Sequence, residues 1–309
     1  MIKTLVSPPA LKPGDNVAII AISSPADPDV LEMGLHHLTS AGLVPVIYPS
    51  AQDSGTVRPW LAGTDNQRVT EFVLALNDDS IAGIIFACGG HGAQRVLEHI
   101  EWSKIDKSNP KVVSGYSDIT AILEGVARHL GWVSLYAPMP GYIEMDEEFT
   151  RTSFLRSLFG SSHSTTLEFP EAQIVTPGTA SGITSGGNLA MLVSSLGTNS
   201  SWLPESRILM IEDEEESDIR IDRMLTQLRR SGFFESVVGV IAGHFYNCGN
   251  PVDVRWVLED NLARLGIPVL IGANIGHRGN FQTYPIGIFA SLAVENKVLT
   301  LERTALTTQ

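Results

Sequence analysis

Through its first half the chain alternates short apolar runs with amphipathic stretches at helical spacing, and few architectures accommodate that rhythm. Residues 16–22 (NVAIIAI) read as a buried strand. Residues 30–41 then repeat apolar side chains at Val30, Met33, Leu38 and Ala41, and Gly42 supplies the stop. Further strands are expected over 43–48, 81–87 and 112–115, with helices over 66–77, 93–99 and 118–130. Strands separated by helices are joined by right-handed crossovers, so the expected sheet is mostly parallel.

The rhythm lapses over 144–170, where the polar run SSHSTT (161–166) is poor in core formers, and this reads as an inter-domain connection. It resumes with a segment at 181–196, a strand over 208–211, a long helix over 217–231 and a strand over 237–242. A helix over 251–265, a strand over 269–273 and a β segment over 286–294 follow. The expectation is two α/β domains, 1–150 and 171–309, joined by 151–170. A chain of 309 residues that is 43% hydrophobic and 18% charged buries a substantial core without difficulty.

The formal net charge of −13 argues against nucleic acid as a partner, because neutralising phosphates takes a basic surface. No apolar run approaches the roughly 20 residues that span a bilayer. The opening MIKTLVSPPALKPGD lacks the long apolar core of a secretory leader and is soon broken by prolines. A cytoplasmic location is therefore expected, with Cys88 and Cys248 as reduced core thiols. No Cys/His ligand spacing suggests a metal, and no cofactor is expected.

Ser117 sits where the strand ending at Tyr116 meets a helix marked by Ile119, Ile122, Leu123, Val126 and Leu130. Serine is a poor nucleophile without a base and a site for the oxyanion. A tight strand-to-helix turn meets part of that need by exposing the hydroxyl and aiming the next N–H at developing negative charge. A serine here is equally suited to capping the helix, and the pattern lacks the second glycine of G-x-S-x-G. Glu212, in LMIED (209–213), reads either as the group that orients a base or as a solvated strand-end carboxylate. His277, in NIGHRGNFQTYPIG (274–287), reads either as that base or as an ordinary loop histidine. The turn CGGHG (88–92) is either a plain turn or a source of exposed N–H groups. All four segments fall at the C-terminal ends of expected strands, where open α/β sheets place their sites.

In order along the chain stand PPALKPGDNVAIIAISSPAD, the stretch from WLAGTDNQRVT to RVLEHIEW, PKVVSGYSDITAIL and GGNLAMLVSSLGT, followed by ILMIEDEEESDIRIDRMLTQLRRSGFF and IPVLIGANIGHRGNFQTYPIG. Nearly end to end these blocks resemble the serine LD-carboxypeptidases of murein recycling, a family that includes the microcin C self-immunity peptidases. The resemblance implies a Rossmann-like, class I amidotransferase-like N-terminal domain and a smaller C-terminal α/β domain, usually as a homodimer. It implies Ser117 as nucleophile, Glu212 as the acid that orients the base, and His277 as the base. The backbone N–H groups of Asp118 and Gly90 would form the oxyanion hole, without a metal. Two departures stand beside the elbow: Cys88 where the family usually has Arg, and His91 where it usually has Tyr. Cys88 is expected as a core thiol, His91 as an exposed turn residue, and Arg220 or Arg223 as a candidate for binding a substrate carboxylate.

The implied substrate is a cytoplasmic muropeptide, cleaved at the L,D-amide bond to its terminal D-Ala. The microcin-type alternative, an acyl-aminoacyl-nucleotide amide, fits less well. The segment between Ser117 and Glu212 is short, and Trp202 is its only Trp. A non-enzymatic two-domain ligand-binding protein is the alternative from another class. A glutamine-hydrolysing amidotransferase would call for Cys at position 117.

Overall fold

The first apolar run becomes β1 (Asn16–Ile20), with all but its first residue buried. This computed structural model describes residues 5–308. The first four residues of the N-terminal segment, read above as lacking a leader core, lie outside that range. Beside β1 run β2 (Val44–Ile47), β3 (Ile81–Phe86), β4 (Val112–Gly115) and β5 (Ser134–Tyr136), all parallel, in the order β5-β4-β3-β1-β2. The connecting helices are α1 (Pro28–Ser40), α2 (Asp65–Asn77), α3 (Ala93–Leu97) and α4 (Thr120–Gly125). Two of them begin earlier than their apolar spacing suggests. Asp27 accepts from the N–H groups of Asp29 and Val30, with Pro28 in the first turn, and Thr64 accepts from Gln67 N–H.

The expected helix over 118–130 is three pieces: a tight turn at Ser117–Ile119, α4, and a widened last turn at Val126–Leu130 that ends on Gly131 at φ 74°. The polar stretch 144–170 is not plain connection. It contains α5 (Glu148–Leu158), which buries Thr150, Phe154, Ser157 and Leu158, a stripe at four-, three- and one-residue steps that the surrounding polar residues mask.

The second sheet is built from β6 (Thr166–Glu168), β7 (Gln173–Thr176), β8 (Thr179–Asn188), β9 (Arg207–Glu214), β10 (Val237–Tyr246) and β11 (Val269–Ile271), with β13 (Phe289–Ala293) and β14 (Val298–Leu301) from the end of the chain. Its centre, β8-β9-β10-β11, is parallel. Antiparallel edges extend it to eight strands, more than the first sheet has. Helices α6 (Leu189–Ser194), α7 (Asp218–Arg230) and α8 (Pro251–Ala263) pack with β9 and β10 around a core that includes Leu209, Ile221, Leu225 and Val257.

The β segment expected over 286–294 is two strands with different destinations. Gly287, at φ 99°, turns the chain between β12 (Tyr284–Ile286) and β13 (Phe289–Ala293), and β14 (Val298–Leu301) follows. β13 joins β8 in the second sheet, whereas β12 crosses to the first sheet and pairs antiparallel with β5, Tyr284 opposite Tyr136. The larger core accordingly runs through both halves, from Ile19 and Ile122 to Ile208, Leu270 and Leu292. Among the described residues no helix is long and apolar enough to cross a membrane.

Candidate active site

β4 ends at Gly115, Tyr116 is extended, and Ser117 then takes φ 62°. A side chain other than glycine's is uncommon in that region and costs on the order of 1–2 kcal/mol. The turn directs the hydroxyl away from the strand and toward the loop that follows β11. Gly89, in the turn after β3, lies flat against it. A Cβ on Gly89 would sit 3.3 Å from Ser117 Oγ.

The loop after β11 carries His277 and closes over Glu212 because two glycines leave room. A Cβ on Gly276, whose φ is 99°, would lie 2.3 Å from Glu212 Oε2, and one on Gly243 would lie 2.4 Å from the Ile275 carbonyl oxygen. Glu212 is within β9 and fully buried, and His277 is 3% exposed.

From these three elements comes one hydrogen-bonded line. Ser117 Oγ lies 3.0 Å from His277 Nε2, and His277 Nδ1 lies 2.6 Å from Glu212 Oε2. The same Oε2 accepts the His277 backbone N–H at 3.1 Å. The imidazole packs against the Tyr116 ring, centroids 4.8 Å apart and planes tilted by 53°. Burial alone would raise the Glu212 carboxyl, but the charge and hydrogen bonds of His277 outweigh it and hold the group below its ordinary value. Burial alone would lower His277; the Glu212 charge and hydrogen bond prevail, with help from Glu214 and Asp213, and push it up to about 9. Such an arrangement can take the proton from a serine hydroxyl and hold the resulting imidazolium.

Asp118 follows Ser117 directly. Its buried carboxylate accepts from Ser23 Oγ at 2.6 Å and from Ala93 N–H at 2.8 Å, which ties the elbow to the loop after β1 and to the start of α3. Burial raises this carboxyl above its ordinary value. Gly90 is at φ 102°, and a Cβ there would strike Ser24 Oγ. The Asp118 and Gly90 N–H groups therefore belong to the two turns that flank Ser117.

Several residues at the site are not singled out by the sequence reading. Tyr136 bonds both Ser117 and Glu212. Asn188 Nδ2 donates to Asp213 Oδ1 at 2.9 Å and, at 3.4 Å, to Glu212 Oε1. Glu214 Oε2 lies 3.5 Å from His277 Nε2, and Tyr142 Oη accepts the Gly89 N–H at 3.3 Å. Asn188 stands in the GGNL block, which is a usable signal, but Tyr136 lies in a three-residue buried strand and looks like any core tyrosine.

Cys88 and Cys248 are both buried and unpaired with each other. Burial pushes each thiol up to about 12. His91, Arg220 and Arg223 are exposed, none hydrogen-bonds Ser117, Glu212 or His277, and Arg220 is paired with Glu216 at 2.7 Å. Among the described residues no three His, Cys, Asp or Glu side chains cluster as metal ligands would.

The LD-carboxypeptidase N-terminal domain matches residues 17–137, and the C-terminal domain of the same family matches residues 181–292. The chain belongs to the LD-carboxypeptidase family. A Bacillus subtilis relative, named a probable murein peptide carboxypeptidase, is 33% identical over 303 residues, covering 96% of this chain and 94% of that protein. The crystal structure of a muramoyltetrapeptide carboxypeptidase from Oxalobacter formigenes superposes with a TM-score of 0.81 at 27% identity, covering 93% of this chain and 97% of that one. The Escherichia coli microcin C7 self-immunity protein is 26% identical over 334 residues, 96% of this chain and 95% of that protein. Its solved structure superposes with a TM-score of 0.87 at 23% identity over 98% of this chain and 100% of that one, a likeness of fold. In this LD-carboxypeptidase family member, Ser117 falls in the N-terminal match, and Glu212 and His277 fall in the C-terminal one.

Proposed function

We propose that this chain is a serine carboxypeptidase that hydrolyses the L,D-amide bond to the terminal D-Ala of a muropeptide in murein recycling. The observation that carries the reading is the line from Ser117 Oγ through His277 to the buried Glu212 carboxylate, at 3.0 and 2.6 Å. His277 Nε2 takes the Ser117 proton while Glu212 holds the imidazole by Nδ1. Ser117 Oγ attacks the scissile carbonyl carbon, and the oxyanion is received by the N–H groups of Asp118 and Gly90. The C–N bond then breaks, and the proton on Nε2 goes to the departing D-Ala amine. Water attacks the acyl-serine, His277 takes its proton, and Ser117 is released with its hydroxyl restored.

The strand order β2-β1-β3-β4-β5, with its switch point between β1 and β3, supports a Rossmann-like, amidotransferase-like first domain. The proposal includes the division into 1–150, 151–170 and 171–309, a cytoplasmic setting and a homodimer. Recognition of a nucleotide base would call for an aromatic side chain at the site, and Trp202, the one Trp between Ser117 and Glu212, is half-buried elsewhere. It lines a cavity of about 510 Å³ with Lys107, Arg128 and Leu130, and no triad residue lines that cavity. This favours the muropeptide over the microcin-type amide.

The test incubates the protein with murein tetrapeptide and, separately, with an acyl-aminoacyl sulfamoyl adenosine, and reads both by mass spectrometry. Release of D-Ala from the first is expected, abolished by Ser117→Ala with the thermal midpoint retained. Cleavage of the second alone would shift the substrate to the microcin type. Cleavage of neither, with Ser117 unlabelled by a fluorophosphonate, would leave a ligand-binding protein.

A further inference from the structure

The nucleophile and the acid of the proposed triad stand on different sheets, so something has to fix the distance between them. Tyr136, the last residue of β5, is fully buried between Ser117 and Glu212. The Ser117 backbone N–H points at its hydroxyl, 3.1 Å away, and that hydroxyl lies 2.6 Å from Glu212 Oε1. The direction of both bonds is settled by chemistry. An amide N–H only donates and a carboxylate only accepts, so the phenol accepts from Ser117 and donates to Glu212.

We infer that Tyr136 is a positioning residue for catalysis: its hydroxyl spans the two sheets and sets where the Ser117 backbone stands relative to the Glu212 carboxylate. The role rests on the serine-peptidase reading above. The two oxygens of Glu212 then have separate duties. Oε2 serves His277 through Nδ1 and the backbone N–H, while Oε1 is held by Tyr136, with Asn188 Nδ2 more distant at 3.4 Å. Burial and the neighbouring Glu212 raise Tyr136 well above its ordinary value, so it stays protonated and keeps its donor.

The ring itself has little freedom. Tyr116 meets it edge-on at 6.1 Å between centroids, Phe281 lies 6.0 Å away, and Tyr284, on the strand that follows the His277 loop, is its register partner. One consequence concerns the oxyanion hole. The N–H of Ser117 is already engaged with Tyr136, which leaves oxyanion donation to Asp118 and Gly90.

The test compares Tyr136→Phe, which keeps the ring and removes only the hydroxyl, with the wild-type chain by tetrapeptide turnover and by the rate of fluorophosphonate labelling at Ser117. We expect kcat and the labelling rate to fall about 10- to 100-fold, the scale of a hydrogen bond to a buried charge, with KM within about twofold. In a Glu212→Gln background the same removal should cost under about threefold, because the acid it acts through is already impaired. Site-specific incorporation of 4-aminophenylalanine at position 136 restores the donor to Glu212, with only a weak acceptor for the Ser117 N–H, and is expected to recover part of the rate; it also carries the comparison where the Phe variant fails to fold. Unchanged kcat and labelling in Tyr136→Phe would overturn the role, as would an equal penalty in both backgrounds or no recovery with the amine. A wild-type chain that neither turns over tetrapeptide nor labels at Ser117 would overturn the serine-peptidase reading and this role with it.

Discussion

His277 Nδ1 lies 2.6 Å from Glu212 Oε2, with both groups buried. That contact gives the proposed activity a definite pH dependence. The base works only when neutral, and the Glu212 charge opposes burial and pushes His277 up to about 9. The neutral fraction therefore grows as pH rises through neutrality toward 9, and kcat/KM is expected to climb over that interval. Glu212→Gln removes the charge, so its acid limb should move to lower pH while its plateau falls. Glu214→Gln, acting from 3.5 Å on Nε2, should move the limb in the same direction by less. An acid limb unmoved by Glu212→Gln would show that the pair is not coupled in this way.

Gly276 and Glu212 approach more closely than any other side chain would permit. With φ at 99° and space for a Cβ only 2.3 Å from Oε2, Gly276→Ala has to displace either the loop or the carboxylate. A shift on the order of 1 Å at a reacting group costs about 100-fold in rate. Turnover and Ser117 labelling should both fall by that much or more. The strained backbone adds about 1–3 kcal/mol of destabilisation, read by denaturant unfolding.

How much of this was legible beforehand differs between the parts of the chain. The four strands β1 to β4 are legible because parallel strands of a covered sheet are dominated by apolar residues, as in 17–22 and 84–87, and the helices between them carry a clear stripe, whereas β5, three residues long, leaves no period to read. Helix α5 was hidden because its buried stripe includes Thr150 and Ser157, which no apolar count registers. β12 and β13 read as one segment because only Gly287 and Ile288 separate them and strand periodicity carries no information about which sheet a strand joins. At the site, Ser117, Glu212 and His277 come together as the family blocks imply. Tyr136 could not be singled out, because its two hydrogen bonds form only once β5 and β9 face each other.

Asp118 joins the elbow to its neighbours through one carboxylate oxygen, Oδ2, which accepts from both Ser23 Oγ and Ala93 N–H. Asp118→Asn supplies an oxygen in that place without a buried charge, so stability within about 1 kcal/mol of wild type is expected, with labelling of Ser117 retained. Asp118→Ala leaves two buried donors without an acceptor, at about 1–3 kcal/mol each. It also loosens the turn that sets Ser117, and turnover should fall about tenfold. Equal behaviour of the two variants in unfolding and turnover would show that the carboxylate has no part in holding the elbow.

Cys88 offers rival chemistry near the elbow. It stands in the turn whose next residue, Gly89, packs against Ser117. Its geometry argues for a structural thiol: it is 4% exposed and its Sγ donates to the Ser24 carbonyl at 2.8 Å. Burial, with the Asp118 charge, pushes the thiol up to about 12. The thiol then stays protonated at neutral pH, which disqualifies it as a working nucleophile. Iodoacetamide should therefore leave turnover of the native protein intact. Cys88→Ala should keep activity within about threefold while losing about 1 kcal/mol of stability for the small void it leaves. Rapid alkylation of Cys88 with parallel loss of activity, or a Cys88→Ala variant as inert as Ser117→Ala, would move the nucleophile from the serine to the thiol.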